Sequence, residues 1–74
     1  MSEVIRLAAR EHGDLVTAAA QGRPKAWGEL AAHGVMAFRQ RARRAPTIGE
    51  RRAIWAGLWE HVEAARGRGA AEQP

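Results

Sequence analysis

The sequence predicts an all-α fold, a small three-helix bundle running up, down and up. Three observations carry that prediction. Apolar residues recur at helical spacing through three long segments. Short breaks containing glycine or proline separate the segments, and no stretch alternates with the period of a strand. The helices are expected at about 2–20, 24–45 and 47–66, with residues 1–67 forming one domain and 68–74 a flexible C-terminal tail.

The first segment runs from Ser2 to Ala20. Ser2 can cap it and Glu3 suits the positive end of the helix dipole. Ile5, Ala8, Ala9, His12, Leu15, Val16 and Ala19 fall on one face, with Arg6 and Arg10 opposite and Leu7 turned outward. Gly13 weakens the middle by roughly 1 kcal/mol relative to alanine, so a bend is expected there.

Gly22 can close the first helix in a left-handed cap, and Pro24 is tolerated in the first turn of the second. The second stripe is Trp27, Leu30, Ala31, Gly34, Phe38, Ala42 and Ala45, and Gly34 would let a neighbouring helix approach closely. Pro46 restricts Ala45 and ends the segment. The stretch Glu29–Val35 superficially resembles a helix-turn-helix. However, the position four before Gly34, where that motif needs a small residue, holds Leu30. An unbroken helix is expected instead.

The third helix has the clearest signals. Thr47 and Glu50 form a capping box, in which a hydroxyl and a carboxylate each bond the other residue's amide. Ile54, Trp55, Leu58, Val62 and Ala65 then make the stripe, and Gly67 can supply a left-handed stop. Arg68 to Pro74 have nothing to bury.

With 74 residues and no cysteine, the chain has a limited core and no disulfide to staple it. Half of its apolar fraction is alanine, and a chain this short buries only about 60% of its unfolded surface. Dimerisation is therefore an expected supplement to its stability.

The formal net charge is +4, which favours anionic partners. All but one of the 12 basic residues are arginines, a bias that GC-rich coding also produces. Their placement is more informative. Arg39, Arg41, Arg43, Arg44, Arg51 and Arg52 crowd the junction of the second and third helices, offset only by Glu50, and the remainder is slightly acidic. Arg39, Arg43, Arg44 and Arg52 are the expected phosphate contacts, since guanidiniums on a helix end can reach successive phosphates. Arg41 and Arg51 lie closer to the apolar stripes, where they either snorkel or pair with an acid of the first helix such as Glu3.

Trp27 and Trp55 read as core. Trp59 lies at a flank, where it either covers the first helix or anchors a partner, and Val35 and Met36 could extend an apolar patch. No HExxH, no glycine-rich phosphate loop and no thiol nucleophile is present, so no catalytic residue, metal or cofactor is expected. His12 reads as a hydrogen-bonded core histidine. No run is long enough to span a bilayer and no signal-peptide pattern opens the chain, so a cytoplasmic protein is expected.

The functional expectation is a small basic helical binding protein whose partner is nucleic acid or another polyanion. The alternative is a protein-interaction module, a regulator or inhibitor docking on a larger protein through Val35, Met36 and Trp59. Neither a membrane nor a small-molecule substrate is expected.

Overall fold

The computed structural model describes residues 1–72. It contains four helices: α1 (Ser2–Glu11), α2 (Gly13–Ala20), α3 (Pro24–Ala42) and α4 (Ile48–Glu72). The class is all-α, and no strand occurs among the described residues. The expected count of three is corrected to four, because the first rod is broken at His12. Together α1 and α2 make that rod, and both pack against α3 and α4.

Side-chain contacts fix the directions of the rods. Arg41, near the end of α3, pairs with Glu3 at the start of α1. Gly34 of α3 abuts Ile54 and Leu58 of α4, while Trp27 at the start of α3 meets Trp59 further along α4. The rods therefore run up, down and up.

The break at His12 follows from its backbone. Its φ of −119° and ψ of 43° leave the helical region. The His12 amide still donates to the Ala8 carbonyl at 3.0 Å, closing α1. The His12 carbonyl then accepts from both Leu15 and Val16, at 2.9 and 3.1 Å, which restarts the ladder as α2. Its imidazole lies flat on that of His33 in α3, with ring centroids 3.8 Å apart and planes 14° from parallel. The broken residue is thus also a point of attachment to the neighbouring rod.

The core is a line of aliphatic side chains with alanines around it. Leu30, Ile54, Leu58 and Val62 are completely buried, joined by Val4, Val16, Phe38 and small residues such as Ala8 and Ala19. Two glycines set the spacing. A Cβ built on Gly34 would lie 2.6 Å from Leu58 Cδ1, and one on Gly57 would lie 2.5 Å from Ile5 Cδ1. A side chain at either place would force its neighbours to shift, so α3 closely meets α4 at Gly34 and α1 closely meets α4 at Gly57.

That close approach explains a correction. Trp55 was expected in the core, yet it is 38% exposed. The buried line of α4 is centred on Ile54, Leu58 and Val62, and residue 55 lies about 100° round the helix from residue 54. Trp27 is half-buried against the core.

The helix ends are partly as expected. Gly22, at φ 86°, closes α2: its amide donates to the Ala19 carbonyl at 3.0 Å and the Arg23 amide to that of Ala18 at 3.2 Å. These are the paired bonds of a Schellman cap. Ser2 does not cap α1; Met1 occupies the N-cap position and Ser2 is the first helical residue. The second predicted helix stops at Ala42, because Arg43 takes the left-handed conformation at φ 61°. Its amide donates to the Arg39 carbonyl at 2.9 Å.

At the other end, α4 passes Gly67 and continues to Glu72, so the expected tail is helical through that residue. Glycine permits a left-handed exit but does not compel one. A Schellman closure is usually accompanied by an apolar contact from the residue after the glycine, and here that residue is Arg68. Gln73 and Pro74 lie outside the described residues.

Candidate nucleic-acid interface

The candidate site is the corner between α3 and α4, built from the five residues Arg43 to Thr47 and the turns on either side. The capping box forms as predicted. The Thr47 amide donates to Glu50 Oε1 at 2.9 Å, and the Glu50 amide donates to Thr47 Oγ1 at 3.1 Å. The Thr47 carbonyl accepts the first helical bond from Arg51 at 2.9 Å.

Glu50 has a second task. Both nitrogens of the Arg44 fork donate to its carboxylate, at 2.7 and 2.9 Å. A bidentate arginine–carboxylate pair fixes geometry as well as charge. The Arg44 hydrogen bond, followed by that from the Thr47 amide, holds the Glu50 carboxyl down to about 2. The same pairing pushes the Arg44 guanidinium further up. Arg44 also lies over the Phe38 ring, 5.1 Å from its centroid, and so joins the corner to the core. Pro46 is buried beneath the turn.

The four arginines expected to contact phosphates therefore divide. Arg44 is engaged by Glu50. Arg39, Arg43 and Arg52 are exposed, and none forms an ion pair among the described residues. Arg51 is exposed in the same way and forms no ion pair among the described residues. Arg41 does pair with Glu3, at 2.8 Å. The amino end of α4 adds the partial positive charge of its dipole. The result is a corner rich in cations whose local carboxylate is already occupied.

The residues expected to bind a protein partner do not all come together. Val35 is half-buried. Met36, the next residue, is 52% exposed but about 100° further round the helix, so it faces elsewhere. Trp59 is 40% exposed. It packs edge-on against Trp27 of α3 with centroids 5.2 Å apart. Arg66 lies over its ring at 5.4 Å and donates to the carboxylate of Glu63 at 2.9 Å. Ile48, 72% exposed and on the same side of α4 as Trp59 by its spacing, and Trp55, expected in the core, share this flank. Their spacing along α4 was visible in the sequence. What was missing was the position of the buried line.

His12 and His33 form the stacked pair described above, and neither has a side-chain hydrogen bond among the described residues, so His12 is not the hydrogen-bonded core histidine expected. No group of three or more potential metal ligands occurs among the described residues. No described helix is long and apolar enough to cross a membrane. No known protein family matches the sequence, and neither a curated protein nor a solved structure matches the chain.

Proposed function

We propose that this protein binds nucleic acid, holding the phosphate backbone at the α3–α4 corner with Arg39, Arg43 and Arg52. The observation that carries this reading is the division among the corner arginines. Arg39, Arg43 and Arg52, with Arg51 beside them, are exposed and have no carboxylate partner among the described residues, while Glu50 is committed to Arg44. Had Glu50 been shared among them, little charge would remain for a ligand. The corner is also stiff, since the capping box and the Arg44 clamp hold the turn from which the cations project. The cations are gathered at a turn and at the helix ends beside it, so the contacts go to phosphates and not to base edges.

The test is a salt titration of binding to a labelled oligonucleotide. The three corner contacts contribute about −2 to the log–log slope on a single strand and about −2.7 on a duplex. Arg39→Ala with Arg43→Ala should remove roughly two-thirds of that contribution. Binding that is insensitive to salt, or unchanged in the double variant, contradicts the proposal.

A second reading is favoured by a separate observation, the apolar flank of Ile48, Trp55 and Trp59. Tryptophan and arginine are enriched at protein interfaces. On that reading the flank docks on a larger protein or on a second copy. Trp55→Ala with Trp59→Ala would abolish nuclease-resistant capture of a protein, or dimerisation in sedimentation, and leave oligonucleotide binding unchanged.

A further inference from the structure

A second cationic feature lies away from the corner. A groove of about 750 Å³ runs between the first rod and α4. Its floor includes Leu7, Val16 and Ala65, and its sides carry Arg6 and Arg10 from α1 with His61 and Arg68 from α4. Glu3 is the one acid lining it, and Arg41 already occupies that carboxylate at 2.8 Å. Arg6, Arg10 and Arg68 form no ion pair among the described residues. Because Arg41 belongs to the last turn of α3, the mouth of the groove adjoins the arginine corner.

We infer that the nucleic acid this protein takes is single-stranded. One strand runs from the corner into the groove, its backbone on Arg6, Arg10 and Arg68 and a base on the His61 ring. This inference rests on the function proposed above and narrows it.

Several physical features agree on that choice. Arg6 and Arg10 are one helical turn apart, roughly 6 Å along the axis, so they can follow successive phosphates of an extended strand. The floor is apolar, which suits the face of an unpaired base. His61 is half-buried, and an imidazole at the side of a groove can stack on a base as other aromatic rings do. The pairing of a basic groove with a stacking ring is how proteins without sequence preference hold single strands. The volume falls within the range of about 300–1,000 Å³ typical of small-molecule sites, which suits unpaired nucleotides better than a double helix. A duplex keeps its base faces stacked inside and offers the floor nothing.

Fluorescence anisotropy with a labelled short single strand and a blunt hairpin of the same composition tests this. The wild-type protein should prefer the strand by about tenfold or more, and Arg6→Ala with Arg10→Ala should flatten the single-strand salt slope by about 1.4. The same double variant should leave hairpin affinity within about twofold, because the hairpin uses the corner alone. Arg6→Lys with Arg10→Lys should restore most of the slope. Both arginines are exposed, and circular dichroism of each variant confirms that the fold is kept. Equal affinity for strand and hairpin overturns the inference and leaves the corner proposal standing. So does an equal loss for both probes in the alanine variant. Failure to bind either probe overturns both.

Discussion

Three interruptions break the helical path, and two of them, the α3–α4 corner and the α1–α2 junction, are built differently. At the α3–α4 corner the backbone is held by neighbours in sequence: Thr47 and Glu50 exchange amide bonds, and Arg44 clamps Glu50 from across the turn. At the α1–α2 junction no side chain caps either helix end. The ladder is redirected through the His12 carbonyl, and the residue is anchored from outside by the His33 ring. A corner made of local bonds is stiff whatever surrounds it. A junction made by stacking depends on the neighbouring rod. The first suits a platform that presents fixed charges, and the second shapes the wall of an open groove in which Gly13 takes part.

Breaking the cap should have the largest effect. Thr47→Ala should cost about 1–2 kcal/mol in denaturant unfolding, since it removes the cap acceptor. A loss near zero would show that the corner does not rely on its local bonds. Acid should weaken the same structure. The Glu50 carboxyl is lowered from 4.5 to about 2 in the folded chain, so its contribution is full above about pH 4.5 and is lost as pH falls through about 2. Glu50→Gln should flatten that acid limb of the stability profile, and an unaltered limb would contradict the assignment.

At the junction, His33→Ala should cost about 0.5–1.5 kcal/mol through loss of the stacked pair. Amide exchange should quicken mainly around Glu11 to Leu15; uniform quickening along the chain would argue that the stack is not what anchors the break. Smaller effects should be gains. Arg43→Gly should add about 0.5–1 kcal/mol, because glycine adopts the left-handed cap without steric cost, while the salt slope falls by about one phosphate contact. Gly13→Ala should add about 0.5 kcal/mol, since a Cβ there meets nothing within 4 Å. If it destabilises, the glycine is needed for the bend itself.

The same contrast explains what could be read from the sequence. The Thr47–Glu50 box and the Gly22 cap were legible because their partners lie within a few residues. The Arg41–Glu3 pair was legible too, since three antiparallel rods bring those two ends together. The Arg44–Glu50 clamp was not foreseen, because which of several neighbouring arginines takes a shared acid depends on the turn's exact path. The His12 break was attributed to Gly13, one residue away, for want of any sign that His33 would lie opposite. Trp55 was placed in the core because periodicity gives the width of a stripe less well than its direction. Arg6 and Arg10 were assigned to an outer face. Only the packing of the first rod against α4 makes that face the side of a groove.

Glu50→Gln provides the most direct test of the central claim, that the corner arginines left without a carboxylate are the ones that hold phosphate. Glutamine keeps the capping bond but releases Arg44 from its ion pair. The account predicts a single-strand salt slope steeper by about 0.7, the share of one added phosphate contact, with helical content unchanged. A slope that stays the same or becomes shallower would contradict it.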